Sequence, residues 1–132
     1  MLHNTEPLNA VYQRGQKRLF EVDSHAGQAV IDSLQDISPD FADYVIQFGF
    51  GQVYSRAGLT LQQRELATIA ALTAMGNAQP QLKVHIGAAL NVGLSQTEIV
   101  ETMIQMSVYA GFPAALNGLF AAKEVFAGHN CE

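Results

Sequence analysis

The sequence places a glutamate, Glu65, on a helical face that is otherwise apolar. Ile69 and Leu72 follow it by four and seven residues, so the three side chains share one side of a helix. A carboxylate on that side faces inward, where it can take part in proton transfer. The alternative is structural, because Glu65 could interact with the positive N-terminus of its own helix or pair with Arg64 or another base. Buried charges are usually structural pairs, so the spacing alone favours the second interpretation.

His85 is the second candidate for chemistry, and it lies in the sequence LKVHIGAAL with Leu82, Ile86 and Ala89 on its side of a helix. Histidine changes charge near neutral pH, so in an apolar cleft it can act as a general acid or base. The alternative is a core histidine that donates one hydrogen bond, and the spacing alone favours that alternative. A metal site is not expected, because no His, Cys or carboxylate follows at the third or fourth position, where a helix would place a second ligand.

Two neighbouring predicted helices carry these candidates. Thr60 and Gln63 have the spacing of a capping box at the start of the first helix. Its segment 66–75 is apolar nearly all round, which predicts a central, buried helix. Gly76 and Asn77 end it, and Pro80 lies at an early position of the second helix, which the pattern extends to about Asn91.

If these helices pack antiparallel about the turn near Asn77, Glu65 lies 12 residues before the turn and His85 lies 8 after it. At 1.5 Å per residue their depths differ by roughly 6 Å. We therefore expect the pair to line one pocket and to meet through a water or a substrate more easily than by direct contact. Tyr109 and the helix break 111–113 are further candidate pocket walls, since a break releases backbone N–H groups that can bind an oxyanion.

The rest of the chain predicts more helices with short loops and no segment that alternates like a strand. The predicted helices cover 7–22, about 28–34, 39 to about 55, 61–75, 80–91, 96–110 and 113–127, with a start signal at Ser38-Pro39 and a second capping box at Ser95 and Glu98. Six or so helices in this arrangement predict one all-α domain over residues 1–132.

Composition limits the partners of this 132-residue chain. Its net charge is -5, and its seven Lys and Arg residues form no cluster, which argues against nucleic acid. Charged residues make up only 14% and hydrophobic residues 48%. A domain of this size has a large surface relative to its volume, so the low charge content predicts that part of the surface is hidden in a homo-oligomer.

Cys131 is the single cysteine, so no intrachain disulfide can form and the fold does not depend on an oxidising compartment. The sequence MLHNTEPLNAVYQRGQKRLF has no basic region followed by an apolar one, and no apolar run approaches the length of a membrane span. A cytoplasmic location is the resulting expectation.

Several runs of residues together resemble the carboxymuconolactone decarboxylase family. They are RAGL at 56–59, RELATIAAL at 64–72, QLKVH at 81–85, AALNVG at 88–93, EIVE at 98–101, MSVYAGFPAA at 106–115 and AKEV at 122–125. With Tyr12 and Gly15 near the start, the resemblance covers nearly the whole chain. It implies an all-helical fold related to the alkylhydroperoxidase-D-like proteins, usually assembled as trimers or hexamers.

The resemblance also distinguishes between two branches of these related proteins by their cysteines. The peroxidase-like branch has two cysteines, seven and four positions before the histidine that corresponds to His85. This chain has Ala78 and Gln81 there, so disulfide-linked peroxide reduction is excluded, and Cys131 lacks a resolving partner. The resemblance is therefore to the cysteine-free, decarboxylase-like branch.

The implied reaction removes CO₂ from a carboxylated unsaturated lactone such as 4-carboxymuconolactone, in aromatic catabolism, without a cofactor or a metal. Electrons pass onto the lactone oxygen, and the α-carbon then takes a proton. His85 fits the general acid or an electrophile, and Glu65 would orient it or relay the proton. Arg64 or Arg56 would bind the carboxylate that remains, with Tyr109 as a further substrate contact.

Three alternatives stay open at this point, because a fold does not settle a function. The first is related cofactor-free chemistry on another lactone or enol acid. The second is a thiol-free, oxidoreductase-like activity. The third is a non-catalytic oligomeric protein that binds a small molecule, which a pocket without a polar residue near His85 would favour.

Overall fold

The computed structural model describes residues 5–130 and confirms the predicted all-α class, since this part of the chain contains helices and no strand. The helices are α1 (Leu8–Ser33), α2 (Pro39–Tyr44), a π-helical segment (Val45–Val53), α3 (Leu61–Met75), α4 (Gln79–Asn91), α5 (Gln96–Ala110) and α6 (Phe112–His129). They fall into two compact units, which the structure describes over residues 5–59 and 60–130. Whether these units form a single domain stays a prediction.

In the N-terminal unit, α1 packs against the π-helical segment through glycine. A Cβ built on Gly51 would lie 2.5 Å from the carbonyl oxygen of Val11, and one built on Gly15 would collide with the carbonyl group of Ile46. Only glycine allows two helical backbones to approach this closely. Arg14 adds a hydrogen bond from its Nε to the carbonyl oxygen of Gly51, 2.8 Å long.

Helix α1 is longer than predicted, because the two expected helices over 7–22 and about 28–34 join across a bend. At the bend Ser24 has φ 53° and ψ -136°, while the residues on either side are helical. This conformation favours glycine and is strained for serine. The gap between the two predicted helices contains this bend.

The start signal at Ser38 is confirmed, since its hydroxyl accepts a hydrogen bond from the N–H of Phe41. The helix predicted from 39 to about 55 is not α-helical throughout, because it contains a π-helical segment from Val45 to Val53. Such segments interrupt an α-helix, and this one carries the glycine that contacts α1.

The C-terminal unit consists of α3 to α6 around one core. The buried core residues are Ile69, Leu82, Ile86, Ala89, Leu94, Ile99, Met103, Ala121 and Ala122. Both predicted capping boxes are present, one from Thr60 and Gln63 before α3 and the other from Ser95 and Glu98 before α5. These local bonds fix where α3 and α5 begin, and therefore where the side chains of their first turns lie.

One prediction for α3 is wrong. The apolar segment 66–75 suggested a helix buried on all sides, but Ala67, Ala71, Ala74 and Met75 are exposed. The helix does pack against α4, α5 and α6. In a unit of four helices each helix keeps one outward side, and alanine is small enough to occupy that side at little cost.

Short connections and four contacts between helices define the helix directions in this unit. The contacts join Gln62 to Val92, Gln96 to Asn130, Gln79 to Asn117 and Lys83 to Glu124. The first two join the start of one helix to the end of the next, so α3 and α4 are antiparallel, as are α5 and α6. The last two contacts follow each other in the same order along α4 and α6, so these two helices are parallel. Because α3 is antiparallel to α4 and α5 is antiparallel to α6, α3 runs parallel to α5.

Candidate active site

Glu65 and His85 contact each other directly. The Oε2 atom of Glu65 lies 3.0 Å from Nδ1 of His85, between the second turn of α3 and the middle of α4. The glutamate side chain is fully buried, whereas the histidine side chain is 20% exposed. The two residues that the sequence singled out for chemistry therefore form one hydrogen-bonded pair. Of the two side chains, only the imidazole reaches the surface.

The expectation that this pair meets through a water or a substrate is wrong. It compared the heights of the two residues along antiparallel helix axes, which differ by roughly 6 Å. A glutamate and a histidine side chain each extend several ångströms from the backbone, and together they span that offset. The contact depends on how far the two side chains reach, and the rise per residue along a helix does not measure that distance.

Packing around the pair keeps it in place. Ile69, one turn after Glu65, is fully buried, and so are Leu82 and Ile86 on either side of His85. Because both helices are anchored in the core at these positions, the carboxylate and the imidazole have little freedom to separate. The site is therefore organised before any ligand binds.

A buried carboxylate beside an imidazole has a defined chemical capacity. When the carboxylate is ionised it can only accept, so Nδ1–H of His85 donates to Oε2 of Glu65. That hydrogen bond fixes the tautomer and directs Nε2 away from the carboxylate, and it stabilises the imidazolium when Nε2 takes up a proton. The arrangement suits a histidine that gives and recovers a proton through Nε2.

The two arginines lie in different surroundings. Arg64 is half-buried in α3, directly before Glu65. Consecutive residues of a helix do not face each other, so Arg64 points to a different side of α3. Arg56 is exposed and belongs to the N-terminal unit. The assignment of either arginine to a substrate carboxylate stays a prediction.

Tyr109 lies far from the pair within one chain. Gly118 packs against Thr73 of α3 and Met103 of α5, which places these residues at one level of the C-terminal unit. Glu65 precedes Thr73 by eight residues, and Tyr109 follows Met103 by six. Since α3 and α5 are parallel, the two side chains lie about 20 Å apart along the unit. The structure therefore does not bring Tyr109, which is exposed, to the pair.

Lys83 was not singled out from the sequence, although it lies two residues before His85. Its Nζ is 2.7 Å from Oε2 of Glu124, so it joins α4 to α6. Both side chains are substantially exposed, and such ion pairs contribute little to stability. The partners lie 41 positions apart in the chain, and a separation of that length gives no sequence signal for a contact. We interpret this pair as a contact that helps to hold α4 in register.

Known proteins support a family assignment. A model of the carboxymuconolactone decarboxylase family matches residues 39–124. The chain belongs to this family. A 4-carboxymuconolactone decarboxylase of Acinetobacter baylyi is 35% identical over 117 residues, which cover 87% of this chain and 86% of that protein.

Two further relatives match a smaller share of this chain. An uncharacterised 15.0 kDa protein of Paracoccus denitrificans is 35% identical over 72% of each chain. A nitrosuccinic acid decarboxylase of Metarhizium robertsii is 27% identical over 62% of this chain and 57% of its own length. The relatives of this chain therefore include two proteins named as decarboxylases of different acids.

In this chain the positions seven and four residues before His85 carry no thiol. Ala78 is the buried residue that precedes α4, and Gln81 is exposed in the first turn of that helix. Cys131, the single cysteine, lies outside the described residues. Between residues 5 and 130 no three His, Cys, Asp or Glu side chains are grouped closely enough to hold a metal ion. The same part of the chain contains no helix that is long and apolar enough to cross a membrane.

Proposed function

We propose that this family member is a decarboxylase that removes CO₂ from a carboxylated unsaturated lactone such as 4-carboxymuconolactone. The Acinetobacter relative bears the name of that activity and aligns over most of both chains. The Metarhizium relative is also named a decarboxylase. The observation that carries the proposal is the 3.0 Å contact between the buried Glu65 and His85, because it supplies a positioned proton donor.

The proposed reaction begins with loss of CO₂ from the γ-carbon. The bond between that carbon and the carboxylate breaks, and its electron pair passes through the ring double bond onto the lactone carbonyl oxygen. The resulting furanolate then takes a proton on the α-carbon from Nε2–H of the His85 imidazolium, which gives the enol-lactone product. His85 recovers its proton from solvent, so the overall change is one CO₂ released and one proton consumed.

Glu65 acts through His85 in this proposal. Its carboxylate accepts from Nδ1–H, holds the imidazole in one orientation and favours the protonated ring that the step requires. A site without a polar residue near His85 would favour a binding protein without catalysis, and the carboxylate of Glu65, 3.0 Å from His85, does not meet that condition. The pair therefore favours an enzyme over a non-catalytic small-molecule-binding protein.

An arginine is proposed to bind the carboxylate that stays on the substrate. A cation against the departing carboxylate would oppose its loss, so Arg64 or Arg56 belongs on the other acid group. Arg64 lies in the same compact unit as Glu65 and His85, whereas Arg56 does not, so Arg64 is the first to test. Tyr109 receives no role within a single chain.

We further propose a homotrimer or homohexamer in the cytoplasm, on the basis of the low charge content and the family resemblance.

The test measures decarboxylation of 4-carboxymuconolactone by His85→Gln and Glu65→Gln. We expect His85→Gln to lower the rate by about 10²–10⁴, the usual share of general acid–base catalysis, with the fold and the assembly retained. Glu65→Gln should lower the rate less than His85→Gln does if Glu65 only orients the imidazole, and by a similar factor if Glu65 relays the proton. The pH dependence of the wild-type rate should disappear in the His85 variant.

Lys83→Gln is the matched control, since it removes a charge from the same helix two residues away. We expect its rate to stay within about threefold of the wild type, because its ion pair is exposed. A folded His85→Gln protein with the wild-type rate would show that the site is assigned wrongly. Wild-type protein that leaves 4-carboxymuconolactone unchanged would exclude that substrate.

A further inference from the structure

The proposed reaction uses both ring nitrogens of His85. Its Nδ1 lies 3.0 Å from Oε2 of Glu65, and its Nε2–H supplies the proton that the α-carbon takes. The lactone carbonyl oxygen receives the electron pair in the same reaction. Negative charge that develops on an oxygen is stabilised by a hydrogen-bond donor aimed at it. That oxygen therefore needs a donor other than the imidazole.

Gln81 is the polar neighbour of His85 on α4. In a helix the residues three and four positions away lie next to a side chain, with about 5–6 Å between Cβ atoms. Three of these four positions around His85 are buried and apolar, namely Leu82, Ala88 and Ala89. The fourth is Gln81, which is exposed. On the α4 side, the 20% of the imidazole that is exposed therefore opens toward Gln81.

The other glutamines of α3 and α4 have structural hydrogen bonds. Gln62 donates to the backbone at the end of α4, and Gln79 donates to the backbone of α6. Gln63 belongs to the capping box of α3. Between residues 5 and 130 the side-chain amide of Gln81 has no such partner. Its NH₂ group is therefore available to a ligand that is bound at His85.

We propose that the amide of Gln81 donates a hydrogen bond to the lactone carbonyl oxygen and stabilises the negative charge that forms there when CO₂ leaves. In a lactone this oxygen and the α-carbon are attached to the same carbon atom. A ligand that presents its α-carbon to Nε2–H of His85 thus presents the oxygen to a donor one helical turn away. The assignment rests on the proposed function and defines its substrate class, which is an acid whose departing carboxylate is conjugated to a carbonyl oxygen.

The cations of this unit suit the role less well. Lys83 lies about 200° around α4 from His85, and its Nζ is paired with Glu124. Arg64 is proposed for the acid group that stays on the substrate. A neutral amide also attracts the departing carboxylate less than a cation would, so it favours the charged furanolate over the bound substrate.

Gln81→Met tests the assignment, because methionine keeps the length and the helix propensity of glutamine but cannot donate. Gln105→Met is the matched control, since Gln105 is an exposed glutamine inside another helix, α5. Steady-state kinetics with 4-carboxymuconolactone measure kcat and KM, and far-UV circular dichroism measures the helix content. Gln81→Glu, which keeps the size and cannot donate when ionised, is the second variant if Gln81→Met does not fold.

We expect Gln81→Met to lower kcat by about 10- to 100-fold and to change KM by less than about threefold, because the bond strengthens when the charge forms. Gln81→Glu should lower kcat at least as much, since its carboxylate opposes the charge on the oxygen. Gln105→Met should match the wild type. A folded Gln81 variant with the wild-type kcat, or with a change in KM alone, would overturn the proposal.

A binding measurement tests Gln81 without the reaction. Tetronate is a five-membered lactone whose enol is ionised at neutral pH, so it presents a negatively charged oxygen on a ring of the same size. Its binding is followed through the NMR signals of the His85 ring. We expect Gln81→Met to weaken binding by about 10-fold or more, and Gln105→Met to leave it unchanged. Equal binding by Gln81→Met, or no binding by the wild type, would contradict the assignment.

The two measurements separate this inference from the proposed function. A wild type that binds tetronate through Gln81 but releases no CO₂ from 4-carboxymuconolactone supports the oxygen donor and contradicts the proposed substrate. A wild type that is active and is matched in both measurements by Gln81→Met supports the reaction and contradicts the donor.

Discussion

Glycine brings helices together in both units of the chain, but what it contacts differs. In the N-terminal unit the atoms nearest to a Cβ built on Gly15 belong to the backbone of Ile46 and Gly51. In the C-terminal unit the atoms nearest to a Cβ built on Gly118 belong to the side chains of Thr73 and Met103. A side chain can rotate away from an added methyl group, whereas a backbone can yield only if its helix moves. The N-terminal packing should therefore tolerate less change.

The largest effect on stability is expected for Gly15→Ala. The new methyl group would collide with the carbonyl group of Ile46, and neither helix can shift without losing the contact at Gly51. Overpacking of this kind lowers the free energy of unfolding by about 3 kcal/mol. Urea unfolding followed by far-UV circular dichroism measures it.

Gly87→Ala is the control for Gly15→Ala, because a Cβ on Gly87 has no neighbour within 4 Å. There the better helix propensity of alanine should raise the free energy of unfolding by up to about 1 kcal/mol. If Gly15→Ala were as stable as Gly87→Ala, the close approach of α1 to the π-helical segment would be in doubt.

A smaller loss is expected for Gly118→Ala. Its Cβ would lie 2.8 Å from Cγ2 of Thr73 and 3.2 Å from Cγ of Met103. The methionine side chain is flexible, so we expect a decrease of about 1 kcal/mol in the free energy of unfolding. Thr73→Ser removes the nearest methyl group, and the double variant should recover most of the loss. Equal losses for Gly15→Ala and Gly118→Ala would remove the distinction between backbone and side-chain contacts.

The smallest effect is a gain of stability at the bend of α1. Glycine accepts a positive φ without strain, so Ser24→Gly should raise the free energy of unfolding by about 0.5–1 kcal/mol. Ser24→Ala keeps the strain and should stay within about 0.5 kcal/mol of the wild type. Thermal unfolding of the three proteins compares them. A less stable Ser24→Gly protein would mean that the bend is not strained.

Local signals predicted the helix starts correctly. The capping boxes at Thr60 and Ser95 and the cap at Ser38 each act within three or four residues, so the sequence contains every participant. The bend at Ser24 was less predictable, since serine gives no warning of a positive φ. The π-helical segment was missed as well, because its position depends on where Gly51 meets Val11 of another helix.

The sequence by itself determined the all-α class, the helix starts and the two residues, Glu65 and His85, whose types suit proton transfer. Periodicity and capping are properties of short segments, and so is the chemical type of a side chain. The tertiary structure decided that the two side chains touch, that Tyr109 lies far from them and that α3 has an exposed side. These outcomes depend on how helices cross and how far side chains reach, and neither quantity is a property of any one segment.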